Sequence, residues 1–521
     1  MREVKLYDTT LRDGSQGEGI SFSVTDKIKI AKKLDGLGIH YIEGGWPGSN
    51  PKDMEFFKKV KKAKLKNSEV VSFGSTRRAK TSPAKDASIK AILKSDTRTV
   101  AIFGKTWDLH VKDVLRVSLQ ENLKMIQETV EYLKSKKLTV FYDAEHFFDG
   151  YISNRDYALE TLRVAIKGGS DAIVLCDTNG GMITSGLGVI VRAILDEFNS
   201  PLGIHTHNDS GMAVANTIAA VESGCNLIQG TINGYGERCG NADLCSIIPN
   251  LQLKMGYTCL SDSKLKSFTE VSHYVSEVSN MRHKDNQPFV GRSAFAHKGG
   301  IHVNAVMKSP ATYEHVKPET VGNHRRILVS ELSGKTSIIL KAKEMELDLS
   351  KDDPKTRKIL RLVQNLENQG YYFEAADASF ELLMKKAVKR YKPFFTLEGF
   401  KVTIEKREDN TLISEATIKL KVNKIEEHTA SEGDGPVNAL DNALRKALVQ
   451  FYPSLSKMHL SDFKVRVLDE KAGTAAKVRV LIQSQDEKSS WSTVGVSENI
   501  IEASWQALVD SVEYKLLKDK R

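Results

Sequence analysis

Two histidines one residue apart, His205 and His207 in Gly203-Ile204-His205-Thr206-His207-Asn208-Asp209, offer the most direct chemistry in this chain. In a strand, side chains two apart face the same way at about 7 Å, so the pair can grip one divalent ion. A His-x-His pair can equally be structural, so a metal reading needs oxygen donors too. Hard ions such as Mg²⁺ and Mn²⁺ prefer oxygen. The acidic stretch Tyr7-Asp8-Thr9-Thr10-Leu11-Arg12-Asp13-Gly14 supplies carboxylates from the far end of the chain. Only a closed fold would bring the two stretches together.

The elements between them predict such a fold. Short apolar or β-rich runs recur at 4–7, 41–43, 70–73, 100–103, 139–143, 172–176, 203–207 and 227–231, and amphipathic stretches such as 25–37 and 119–134 lie between them. A β-then-α rhythm repeated eight times in about 240 residues is the length of a (β/α)₈ TIM barrel. A doubly wound open sheet would carry a G-x-G-x-x-G turn after an early strand, and the sequence has none. Chemical residues fall where the strands end: Asp8 to Asp13 after the first, Glu43 after the second, Glu145 after the fifth, Asp177 and Thr178 after the sixth. That is the catalytic face of a barrel. Closure sets strand eight between strands seven and one. The glycine-rich loop Asn233-Gly234-Tyr235-Gly236-Glu237-Arg238-Cys239-Gly240-Asn241-Ala242 can then present the amide oxygen of Asn241 to the same ion. The expected ligand set is Asp13, His205, His207 and Asn241.

Past about residue 260 the rhythm stops. The stretch from Ser261 to about Lys385 reads as helical, broken by a polar loop at 282–287 and by Gly299-Gly300, and it carries His297, His302, His315 and His324. From about Phe395 the pattern becomes strands at 401–405, 415–422, 464–468 and 477–483 with helices at 436–451 and 500–517, a compact α+β domain. The fold expected is therefore α/β: a catalytic barrel over 1–260, a helical accessory segment over 261–390, and an α+β domain over 391–521. The last offers no nucleophile or metal cluster, so regulation, binding or dimerisation is its work.

Composition narrows the function classes. The net charge of +10, from 76 Lys and Arg against 66 Asp and Glu, is scattered along helix-like segments, without aromatic-basic interleaving, so no nucleic-acid partner is expected. Five cysteines, odd in number and without a C-x-x-C pair, read as reduced thiols. The chain enters its first strand at once, leaving no signal region, and no run of about 18 apolar residues follows. A cytoplasmic protein without a membrane partner is expected.

Asp8-Thr9-Thr10-Leu11-Arg12-Asp13-Gly14, the His-Thr-His-Asn-Asp stretch and Gly236-Glu237-Arg238-Cys239-Gly240-Asn241 together resemble the barrel family of acyl-CoA Claisen-condensing enzymes and their lyase relatives. Isopropylmalate, homocitrate and citramalate synthases belong to that family. The resemblance continues through Ala294-Phe295-Ala296-His297-Lys298-Gly299-Gly300-Ile301-His302 and into a C-terminal part like the synthases' effector domain, which the lyases generally lack. Within the family, Glu43-Gly44-Gly45-Trp46-Pro47-Gly48-Ser49-Asn50-Pro51-Lys52-Asp53 is similar to the citramalate synthases. Val303-Asn304 stands where many isopropylmalate synthases have Gln-Asp.

The resemblance implies a divalent metal, Mg²⁺ or Mn²⁺ with Zn²⁺ as the alternative, acetyl-CoA as co-substrate and pyruvate as the 2-oxo acid. Isopropylmalate or homocitrate synthesis is the runner-up. It implies that Arg12 stabilises the developing alkoxide, against the plainer reading of an ion pair with Asp8. Thr178 would contact the substrate carboxylate, against a helix cap. Glu145 would help to generate the acetyl-CoA enolate, for which it needs a raised pKa or a relay. His302 and Tyr313 would come from the accessory segment, of the neighbouring subunit in a homodimer. The resemblance also implies isoleucine as an allosteric inhibitor. A barrel that had lost catalysis would be expected to lack one of Arg12, Asp13, His205, His207 and Asn241, and all five are present.

Overall fold

Parallel strands buried on both faces read as continuous apolar runs, and the eight runs of the N-terminal half form such a sheet. In a computed structural model, which describes residues 3–329, 334–350, 352–468 and 476–520, they are β1 (Lys5–Asp8), β2 (Tyr41–Gly45), β3 (Glu69–Ser75), β4 (Thr99–Lys105), β5 (Thr139–Glu145), β6 (Ala172–Asp177), β7 (Leu202–Thr206) and β8 (Leu227–Gly230). They close into a barrel in sequence order. Closure is made by β8 on β1, with Lys5 opposite Leu227 and Asp8 opposite Gly230. The barrel expected from the sequence is the one found.

Two compact units divide the chain, Met1–Phe295 with Val316–Arg325, and Ala296–His315 with Arg326–Arg521. In the first, the barrel interior is filled by Tyr7, Phe73, Phe141, Val174, Cys176 and Leu227 among others, a cluster separate from the shell between strands and helices. Helix Val24–Leu37 shows why the shell is firm at the site end. Ser23 and Asp26 close a capping box at its start, and Gly38, in the left-handed region, ends it. Its Lys27 is buried and donates to Asp53 of helix Pro51–Val60 at 2.5 Å and to Gly44 O of β2 at 3.0 Å, tying the two helices to the end of the strand. Helix Phe268–Val278 belongs to the same core through Phe268, Val271 and Val275.

In the second unit, a short parallel pair joins Ala296–His297 to Arg326–Ile327, and helices Gly300–Lys308, Lys335–Glu344, Pro354–Asn368 and Asp377–Ala387 follow. The stretches 330–333 and 351 of the expected helical segment lie outside the described residues. Two βββα modules complete the unit. Strands Thr396–Lys406, Leu412–Val422 and Ile425–Gly433 precede helix Pro436–Val449, and strands His459–Val467, Val478–Gln485 and Ser490–Ser497 precede helix Ile500–Asp519. Ile425–Gly433 and Ser490–Ser497 were not expected from the sequence. All five cysteines are free, and all but Cys239 are buried. Among the described residues no helix is long and apolar enough to cross a membrane.

Candidate active site

Backbone bonds stitch the strand ends together before any side chain is considered. Thr9 N–H donates to Gly230 O at 2.9 Å, joining the turn after β1 to the end of β8. Asn208 N–H donates to Gly240 O and Ala242 N–H to Thr206 O, each at 2.9 Å, and His207 and Asn241 form an antiparallel bridge. The loop leading to Asn241 depends on glycine. A Cβ at Gly236, with φ +155°, would stand 2.1 Å from Asn241 Nδ2, and one at Gly240, with φ +89°, 2.0 Å from Gly234 O.

This stitching brings three distant side chains to one point. Asp13, His205 and His207 can each offer a donor atom within 4.8 Å of the others. His205 Nε2 lies 3.4 Å and His207 Nε2 3.8 Å from Asp13 Oδ2. Asn241 is buried beside them, and its Nδ2 donates to Tyr235 O at 3.1 Å. The opposite atom, Asn241 Oδ1, is buried without a hydrogen-bond partner. An orphaned buried acceptor is costly, and a cation would satisfy it. Protonation states fit as well. Burial alone would raise the Asp13 carboxyl, but Arg12, His205, His207 and Asn241 outweigh it and hold it below the usual range. Burial lowers His205 and, with His205 adding to it, takes His207 down to about 3. An ionised carboxylate, two neutral imidazoles and an amide oxygen are what a divalent ion requires.

Arg12 is fixed beside this cluster. Its Nε donates to Glu43 Oε2 at 2.5 Å, its Nη1 lies 3.3 Å from Asp13 Oδ2, and its Cζ sits 3.8 Å from the centre of the Phe73 ring. The ion-pair partners are thus Glu43 and Asp13, and not Asp8. Glu43 is fully buried and also accepts from Tyr7 OH at 2.7 Å and Thr9 Oγ1 at 2.5 Å. Asp8 instead accepts from Thr10 N–H and Oγ1, and burial pushes its carboxyl up to about 7. Beyond Phe73, the rings of Trp46 and Phe103 complete an aromatic wall, Trp46 standing edge-on to Phe73 at 5.8 Å and to Phe103 at 5.6 Å.

The remaining expected residues are distributed as follows. Glu145, half-buried at the end of β5, ion-pairs with Lys105, its register partner on β4. Thr178 Oγ1 accepts from His146 N–H at 2.9 Å, and Asp177, not Thr178, closes the turn after β6 by accepting from Gly181 and Met182 N–H. His302 and Tyr313 belong to the second unit, where their rings lie 4.3 Å apart and both are exposed. His297, in the same unit, pairs with Glu314 at 3.1 Å.

No motif in the sequence points to Lys105, Asp143 or Gln229, and Glu43 is marked only by its place at a strand end. Asp143 and Gln229 are legible only once the barrel is drawn, as polar residues at inward positions two before Glu145 and two after Leu227. Gln229 Oε1 meets His205 Nδ1 at 2.9 Å, and its Nε2 donates to Asp143 Oδ1 at 3.1 Å.

Residues 3–275 match the HMGL-like family, 289–370 the homocitrate synthase post-HMGL domain-like family, and 374–516 the LeuA allosteric (dimerisation) domain. The chain is 57% identical to an (R)-citramalate synthase of Geobacter sulfurreducens over all of this chain and 99% of that one. It is 54% identical to an (R)-citramalate synthase of Aquifex aeolicus over 99% of this chain and 98% of that one. A 2-isopropylmalate synthase of Methanocaldococcus jannaschii is 31% identical over 99% of this chain and 96% of its own length. The chain belongs to the HMGL-like family and, within it, to the group formed by the (R)-citramalate synthases.

Proposed function

We propose that this chain condenses acetyl-CoA with pyruvate and hydrolyses the thioester, giving (R)-citramalate and free CoA for isoleucine synthesis in the cytoplasm. The observation that carries the reading is the convergence of Asp13, His205, His207 and Asn241 on one point beside Arg12. These four residues would hold a divalent ion, Mg²⁺ or Mn²⁺, with Zn²⁺ as the alternative that two imidazoles admit. When bound, it supplies Lewis-acid polarisation of the 2-oxo acid's carbonyl.

The protein's own groups do the rest. Arg12, clamped by Glu43 and stacked on Phe73, presents its guanidinium where negative charge builds on the reacting oxygen. Thr178, at the end of β6, binds the substrate carboxylate. The acetyl methyl group must lose a proton to attack the ketone carbon, and either Glu145 or His302, the latter brought with Tyr313 by the neighbouring subunit of a homodimer, takes it. Glu145 and Lys105 form the relay at the mouth of β5. Pyruvate's methyl group packs against Trp46, Phe73 and Phe103, where a branched side chain would meet three large rings.

The second unit serves dimerisation and feedback by isoleucine. A cavity of about 590 Å³ lies between helix Pro436–Val449 and strand His459–Val467. Val437, Val449, Leu455 and Phe463 offer apolar contact, and Asp441 and Arg445, paired at 2.9 Å, offer charges for an ammonium and a carboxylate group. Acetyl-CoA-dependent thiol release with a panel of 2-oxo acids tests the reading. Pyruvate is expected far ahead of 2-oxoisovalerate and 2-oxoglutarate. Equal or better turnover of 2-oxoisovalerate would make the chain an isopropylmalate synthase.

A further inference from the structure

Two buried polar side chains inside the barrel touch none of the expected substrate groups, and they form a directed chain. Gln229 is fully buried and Asp143 is 4% exposed. Asp143 Oδ1 accepts from the Gln229 Nε2 amide hydrogens at 3.1 Å, which turns the amide oxygen of Gln229 to His205 Nδ1 at 2.9 Å. That oxygen can only accept, so His205 must carry its proton on Nδ1. The lone pair is then left on Nε2, the atom 3.4 Å from Asp13 Oδ2.

We propose that Gln229, held by Asp143, is a positioning residue that fixes the tautomer of His205 and thereby sets the metal affinity of the site. The inference rests on the metal centre proposed above. Its physical basis is a competition for one proton. Without an acceptor at Nδ1, the better place for the proton of a neutral His205 is Nε2, against the Asp13 carboxylate. From there it would have to leave before an ion could bind. The Gln229 oxygen removes that competitor in advance. Asp143 keeps the amide from turning over, because the reversed amide would offer hydrogens to Nδ1 and demand the wrong tautomer. Burial pushes the Asp143 carboxyl up to about 8, and the lock is strict in the ionised form, which has no hydrogen to offer a reversed amide.

The test is calorimetric titration of the metal-free full chain with Mn²⁺, with thermal unfolding of each metal-free variant as the control for folding. Gln229→Met keeps the volume and removes the acceptor, and affinity should fall about 10–100-fold, as for other groups that orient metal ligands. Gln229→Glu keeps an acceptor and should bind like the parent chain. Asp143→Leu should weaken binding, and Asp143→Leu with Gln229→Glu should restore it, because a carboxylate at 229 needs no partner to hold its orientation. If Asp143→Leu does not fold, Asp143→Asn replaces it and should bind like the parent. Parent-like affinity in Gln229→Met overturns the lock, as does Gln229→Glu binding as weakly as Gln229→Met. Parent-like affinity in Asp143→Leu, or failure of the double variant to recover, removes Asp143 from it. A parent chain that binds no Mn²⁺ overturns the metal centre itself, an outcome distinct from all of these.

Discussion

The barrel and the C-terminal modules treat charge in opposite ways. Inside the barrel, Asp8, Asp13, Glu43 and Asp143 are buried around the single guanidinium of Arg12, with Asp8 and Asp143 raised to about 7 and about 8. Such a cluster stabilises nothing by itself, since taking charges out of water costs more than an imperfect pairing returns. In the C-terminal modules most charge stays in solvent. Glu398 pairs with Lys419 and Lys421 on an open sheet face, where ion pairs contribute little. Asp441 with Arg445, beside a cavity, and Lys515 with Asp486 are sheltered, but each carboxylate there has its cation within 3.0 Å. Several buried acidic groups gathered around one guanidinium mark the part of this chain that does chemistry, and sheltered charge beside an apolar cavity marks the part that binds.

The comparison breaks most visibly at the metal cluster. Asp13→Asn, His205→Ala or His207→Ala should lower turnover by about 10³-fold or more, because several kcal/mol of carbonyl polarisation are lost. Asp441→Ala should leave basal turnover intact in the same assay; a comparable loss there would erase the division of labour. Arg12→Lys ranks next. A flexible point charge cannot replace a fork clamped by Glu43, so kcat should fall by about 10²-fold, with KM moving less. Near-normal turnover would leave Arg12 as a structural partner of Glu43.

For the binding half, Val437→Trp fills the cavity and should abolish inhibition by isoleucine while the uninhibited rate is kept. A full-length chain indifferent to isoleucine, leucine and valine would leave the modules as an assembly device.

The smallest effect is a pH dependence. The folded-state pKa of His207 is about 3, below its unfolded value, so the unfolded chain binds more protons between about 3 and 6.5. That group therefore subtracts stability as pH falls through this window, by at most about 1.4 kcal/mol per unit. Asp143, raised to about 8, acts with the opposite sign, favouring the folded state as pH falls from about 8 toward the ordinary carboxylate range. The metal-free His207→Gln variant should thus lose less unfolding temperature than the parent between pH 6.5 and 5. An equal loss in both would mean that His207 titrates normally.

The barrel was legible because its buried strands are mostly apolar, with polar residues gathered toward their ends, and all eight expected runs overlap a strand. Its metal corner was legible for a different reason: closure forces the ends of β1, β7 and β8 together whatever the loops do. Strand Ile425–Gly433 is hidden in the sequence because Ile-Glu-Glu-His-Thr-Ala-Ser-Glu-Gly is largely solvent-facing and lacks a clean apolar alternation. The turn before it, Asn423-Lys424, has positive φ at both residues, a type I′ geometry usually announced by glycine. Ser490–Ser497 is short and rich in serine, and its burial comes from helix Ile500–Asp519, to which Thr493 Oγ1 donates at Ala507 O. Gln229 and Asp143 could not be found by motif at all, since 86 positions separate them and only the register of the closed barrel makes them neighbours.

The central claim is that residues 13, 205, 207 and 241 form one metal centre. Calorimetric titration of the metal-free chain with Mn²⁺, set beside that of His207→Ala, tests it most directly. One ion per chain should bind to the parent, with affinity greatly weakened in the variant while both unfold at similar temperatures. Unchanged affinity in His207→Ala would contradict the ligand set, and with it the mechanism built on it.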